Sequence, residues 1–121
     1  SNEDKFYANG NEAMRNLPMV IIMNGGSASA SEILAGALRD NRNIKIIGEK
    51  SFGKGTVQEI QNLKDGSSLK VSVAEWLTPN GTEINKKGLT PDIEVKALDE
   101  NSTSTKDIQL EKALEILRAE L

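Results

Sequence analysis

The chain of 121 residues carries 15 Lys and Arg against 18 Asp and Glu, a formal net charge of −3 with no basic cluster, a balance that argues against a nucleic-acid partner. Hydrophobic residues make up 37% and charged residues 27%, the proportions of a soluble globular chain large enough to bury a core without staples. It has no histidine and no cysteine, which removes an imidazole base, a thiol nucleophile, a disulfide framework and a thiolate metal site.

Residues 1–16 form a polar opening with a turn signal at Asn9-Gly10-Asn11, and Ser1-Asn2-Glu3-Asp4 reads as a trimmed start. The run Leu17 to Met23 does not alternate, so it reads as a strand buried on both faces. Its longest apolar stretch, Met19 to Met23, is far too short to cross a bilayer. Gly25-Gly26 ends the strand. Helical spacing then runs from Ser29 or Ala30 to about Asp40, with Ile33, Leu34, Ala37 and Leu38 as the inward stripe, and Asn41-Arg42-Asn43 breaks it. Ile44 to Ile47 is a second strand closed by Gly48. Strand, helix and strand together predict a βαβ unit with parallel strands.

Beyond Gly55 the pattern changes. Thr56 to Leu63 and Ser68 to Leu77 are β-prone, joined by Lys64-Asp65-Gly66-Ser67 as a hairpin turn. Leu69, Val71 and Val73 alternate with polar residues and predict one buried face. Pro79-Asn80-Gly81 is a further turn, Thr82-Glu83-Ile84 a short pairing segment, and Ile93-Glu94-Val95 a last strand. From Lys106 an amphipathic helix places Leu110, Leu114, Leu117 and Leu121 on one stripe beside Ala113, with Ser104 or Thr105 as cap and Asp107 in the first turn. The expected architecture is α/β: a polar segment 1–16, a core 17–98, a linker 99–105 and a helix 106–121.

Chemistry concentrates in two places. Gly25-Gly26-Ser27-Ala28-Ser29-Ala30-Ser31-Glu32 joins a strand to a helix N-terminus, where unpaired N–H groups and the positive end of the dipole suit a developing oxyanion. The same residues match a capping box, Ser29 to Glu32, and taken alone that reading is the stronger. No serine is flanked by glycines two residues away on either side, so the sequence pattern of the nucleophile elbow is absent. With neither His nor Cys present, a serine nucleophile is left with a lysine amine as base. Lys54 lies in Phe52-Gly53-Lys54-Gly55, and burial would favour the neutral amine a base requires. Gln58 falls on the same face as Lys54 in either a strand or a helix, and its neutral amide could orient the lysine.

Two other readings compete. Gly48 to Lys54 reproduces most of a phosphate-binding loop, but Gly55 stands where Ser or Thr should hold Mg²⁺ and a β-prone segment follows instead of a helix. Alternatively Ser29 only caps a helix in a non-catalytic interaction domain. No carboxylates have metal-ligand spacing, so neither metal nor cofactor is expected.

In order, Asn24 to Ile33, Gly48-Glu49, Phe52 to Gln58, Leu77 to Gly81 and Gly88 to Ile93 closely resemble the carboxyl-terminal processing (tail-specific) proteases, over roughly residues 17–97. The resemblance implies Ser29 as nucleophile, Lys54 as base, Gln58 as its support and the Ala30 N–H as one oxyanion donor. It also implies a crotonase/ClpP-like core, protein or peptide C-terminal tails as substrates, an extracytoplasmic location, and room for a homo-oligomer. Family members carry a PDZ domain and a glycine-containing loop upstream, neither recognisable in residues 1–16. The chain therefore reads as the C-terminal part of a catalytic domain, weakly active or inactive by itself.

Overall fold

A computed structural model describes residues 2–98 and 106–121. In chain order the elements are β1 (Val20–Met23), α1 (Ala30–Arg42), β2 (Lys45–Gly48), β3 (Thr56–Asn62), β4 (Ser68–Glu75), β5 (Ile93–Glu94) and α2 (Ile108–Glu120). β1 and β2 pair in parallel, Ile21 opposite Ile46 and Met23 opposite Gly48, with α1 as the crossover. β5 adds to the other side of β2, also in parallel, giving the sheet order β1-β2-β5. β3 and β4 form a separate antiparallel ribbon. The chain has a mixed α/β fold.

The core gathers Met23, Ala35, Ile46, Ile84 and Leu89, with Ile21, Ile33 and Trp76 packed against it. Ile46, Ile84 and Leu89 have no exposed surface, and burying such a side chain is worth about 1.5–3 kcal/mol. Alternation turns Ile47, also fully buried, to the other face of β2. There α2 packs on β1 and β2. The Gln109 amide fastens that helix by donating to the Val95 carbonyl at 2.8 Å.

Four packing expectations need correction. Leu17 and Ile22 are exposed and only Met23 of β1 is buried, because among the described residues β1 is an edge strand paired with β2 alone. In α1 the buried residues are Glu32, Ala35 and Gly36, while Leu34 is 61% exposed. The stripe is rotated because Gly36 lets the helix close onto Thr78, where a Cβ would lie 2.6 Å from Cγ2. In β4, Leu69 and Val73 are exposed and only Val71 is half-buried. Among the described residues the ribbon bonds to no other strand, so neither face is covered by the sheet. In α2 the buried pair is Gln109 and Ala113, with Ile116 and Leu117 half-buried and Leu110 and Leu114 exposed.

The caps follow local chemistry. Asp107 is itself the α2 cap, its carboxylate accepting the Leu110 N–H at 2.9 Å. The alternatives Ser104 and Thr105, and the linker 99–105, lie outside the described residues. Asn43 ends α1 in the left-handed conformation, and the bridge Leu77 to Glu83 realises the short pairing beyond Pro79-Asn80-Gly81. At the ribbon tip Ser67 donates from hydroxyl and N–H to Asp65, holding that carboxyl below its ordinary range.

Candidate active site

The serine turn and the lysine loop both leave the carboxyl ends of parallel strands, the edge where ligands bind in open α/β sheets. Asn24 shapes the first turn. Its side-chain oxygen accepts the Gly26 N–H at 2.9 Å, its carbonyl the Ser27 N–H at 2.9 Å, and its N–H reaches the Ser27 hydroxyl at 3.2 Å. That engages Ser27 in the turn. Ser29 then opens α1 at φ 55°, ψ −117°.

An ordinary helix cap is extended with negative φ, as Asp107 is in this chain at φ −85°. Ser29 occupies the cap position and pairs with Glu32 in capping-box form, but in a conformation that costs a non-glycine residue about 1–3 kcal/mol. The backbone makes a sharp strand-to-helix turn here, without the glycines that flank a nucleophile elbow. The capping and nucleophile readings are therefore compatible at this residue. The strain has a direct test. Ser29→Gly and Ser29→Ala both lose the hydroxyl, but only glycine is at ease at positive φ, so Ser29→Gly should be more stable by about 1 kcal/mol. Equal denaturation midpoints would show that no such strain exists.

The lysine loop runs against the segment 84–89, backbone to backbone. Gly55 permits this, since a Cβ there would lie 2.5 Å from the Asn85 nitrogen. The Ser51 N–H donates to the Leu89 carbonyl at 3.0 Å, the Phe52 N–H to the Ser27 carbonyl at 2.9 Å, and the Lys86 N–H to the Gly53 carbonyl at 2.8 Å. The next two N–H groups turn to the Glu32 carboxylate, Gly53 to Oε1 at 2.7 Å and Lys54 to Oε2 at 3.0 Å. The same Oε2 accepts the Ser29 N–H at 2.9 Å. The backbone nitrogens of Ser29 and Lys54 are thus no farther apart than those two bonds laid end to end.

Glu32 was legible only as a cap; its role as the hub of two loops depends on partners some twenty residues away in sequence. Ser29, Ala30 and Lys54 are all exposed. Phe52, expected to shelter the lysine, is 67% exposed. Among the described residues no hydrogen bond joins the Ser29 hydroxyl to the Lys54 amine. The Ala30 N–H has no partner among the described residues, as the first donor of a helix should not. Gln58 lies in β3, exposed, opposite Ser72, where the register slips and leaves Val73 unpaired. A hollow lined by Arg15, Leu17, Arg42 and Glu120 sits at the opposite strand ends and contains none of these groups.

The phosphate-loop reading of Gly48 to Lys54 meets a physical obstacle. The N–H groups of residues 51, 52, 53 and 54 are all engaged within the chain, leaving none of them to cradle a phosphate. A strand, not a helix, follows.

The α/β layer thus holds a strained serine at a helix N-terminus beside a loop bearing a lysine, at the strand ends where ligands bind in open α/β sheets. Comparison with known families narrows this. The model of Peptidase family S41 matches residues 1–95, and the chain belongs to that family. A carboxyl-terminal-processing protease of Synechocystis is 44% identical over 95% of this chain and 27% of its own length. A chloroplastic C-terminal processing peptidase of Tetradesmus obliquus is 47% identical over 76% of this chain and 20% of its own. Among solved structures, a photosystem II D1 C-terminal processing protease has a TM-score of 0.70 at 43% identity, over 95% of this chain and 28% of that one. The tricorn protease reaches the same TM-score at 21% identity, over 84% of this chain and 10% of that one, a likeness of fold alone. The chain thus spans about a quarter of the length of the relatives it matches.

Proposed function

We propose that the protein is a serine endopeptidase that hydrolyses peptide bonds near protein C-termini with a Ser29–Lys54 dyad. The observation that carries this is the shared Glu32 oxygen, which brings the Ser29 and Lys54 backbones together at the strand ends. The Ser29 hydroxyl oxygen adds to the scissile carbonyl while the Lys54 amine takes its proton. The unpartnered Ala30 N–H faces the developing oxyanion as one donor. Lys54 then returns the proton to the leaving nitrogen, and water repeats the sequence on the acyl-enzyme. Gln58 orients the lysine once substrate closes the site.

The preference for C-terminal tails rests on the names of the similar proteases. A crotonase/ClpP-like core, an extracytoplasmic location, a second oxyanion donor from further sequence and a homo-oligomeric assembly are parts of the same proposal. No described helix is long and apolar enough to cross a membrane.

The test is covalent trapping in the full-length protein. A peptidyl fluorophosphonate should lose fluoride to form a phosphonyl ester on Ser29, mapped by mass spectrometry. Labelling should vanish in Ser29→Ala. A label on Ser27, Ser31 or elsewhere, or none with an active enzyme, removes this reading. A non-catalytic interaction domain would leave every serine unlabelled.

A further inference from the structure

Four donors converge on the carboxylate of Glu32, a side chain with no exposed surface. The Ser29 and Lys54 N–H groups meet Oε2, and the Gly53 N–H and the Ser51 hydroxyl meet Oε1. A buried carboxylate is costly unless its acceptor sites are filled, and four donors fill the roughly four lone-pair positions available. A helix cap needs only the first of these bonds. The other three reach across to the lysine loop, more than capping requires.

We infer that Glu32 is the positioning residue of this site, with Oε2 fixing the Ser29 turn and the Lys54 backbone at one spacing. The inference rests on the Ser29–Lys54 reading. Ser29 holds its positive φ with its N–H turned onto Oε2, and the Lys54 backbone is anchored on the same oxygen. Glu32 touches no reacting atom. It acts through the alignment of the two residues that do.

In the full-length protein, Glu32→Gln places an amide NH₂ where one oxygen stood, so two of the four donors face another donor. kcat should fall by about 100-fold or more, the scale of a misplacement near 1 Å, with KM within about threefold. Glu32→Asp keeps the charge and both oxygens but withdraws them by one methylene. It should fold and lose about tenfold or more in kcat.

Asp92→Asn supplies a matched structural loss elsewhere, since Asp92 Oδ2 accepts the Ile46 N–H at 2.8 Å in the seam between β2 and β5. It should lower the melting temperature while kcat per folded molecule stays within about threefold. Unchanged kcat in both Glu32 variants, a loss confined to KM, or an equal kcat loss in Asp92→Asn would each overturn the inference. Ser29→Ala runs beside them. If it is inactive while Glu32→Gln is fully active, only the positioning role fails. If Ser29→Ala keeps activity, the dyad fails and takes this inference with it.

Discussion

Replacing Lys54 with alanine should lower kcat for peptide hydrolysis by about 10⁴-fold or more, the size of loss seen when one member of a nucleophile–base unit is removed. The chain offers no histidine or cysteine to take over. The variant should also fold normally. The Lys54 bond to Glu32 comes from the backbone N–H and survives any side-chain change except proline. The side chain is exposed, and exposed substitutions usually stay within about 0.5 kcal/mol. Lys54→Arg should fail equally, because a guanidinium keeps its proton at any working pH. That second variant separates a base from a positive charge. Activity within about tenfold of the parent in Lys54→Ala would rule out the lysine as proton acceptor.

Gly48→Ala should be the most damaging single methyl group in the fold. Gly48 has φ +117°, and a Cβ built there lies 2.1 Å from the Met23 carbonyl oxygen and 3.2 Å from its carbon. That oxygen cannot retreat freely, since it accepts the Glu49 N–H at 2.8 Å. Backbone strain and a backbone clash together should cost about 4 kcal/mol or more. For a chain of this size that lowers the melting temperature by about 15 °C. Met23 leads directly into the serine turn, so surviving molecules should also lose turnover. A fall under about 3 °C by calorimetry would show that β1 and β2 tolerate a wider separation at this point.

Local structure was largely legible in the residues. The apolar runs ending at Met23 and Ile47, the Asp65-Gly66 turn and the Pro79-Asn80-Gly81 turn each follow from short-range chemistry, and the helix read as breaking at Asn41-Arg42-Asn43 stops at the last of these. What periodicity could not supply was the identity of the covered face. Leu34 and Leu110 have the right spacing for a core stripe, yet the inward positions are Gly36 and Ala113. Close approach of a helix to its neighbour favours the smaller residue, and only the tertiary partner decides it. β4 alternates cleanly, but alternation needs a layer to pack against, and the sheet does not provide one.

The site shows the same division. Ser29 and Glu32 announced a helix cap, and its returning half, the Ser29 N–H donating to the Glu32 carboxylate, is there. Neither the positive φ of Ser29 nor the reach of Glu32 to Ser51, Gly53 and Lys54 is encoded within the motif. Both arise when the sheet brings two strand ends side by side. The glycines of the lysine loop were read as allowing close backbone approach, which they do, toward the segment 84–89.

The β3–β4 ribbon has a consequence for motion. Its root is held where the Trp76 N–H donates to the Gly55 carbonyl at 2.7 Å and where Gly55 presses on Asn85. Its outer residues, from Gln58 to Lys70, are exposed. Opening free energies should therefore rise along the ribbon, from near zero at Asp65-Gly66 to close to the global value at Gly55. Amide exchange would read this as a gradient, fast at the tip and slow beside Lys54. On that gradient the lysine lies beside the root of the ribbon, the end expected to open last.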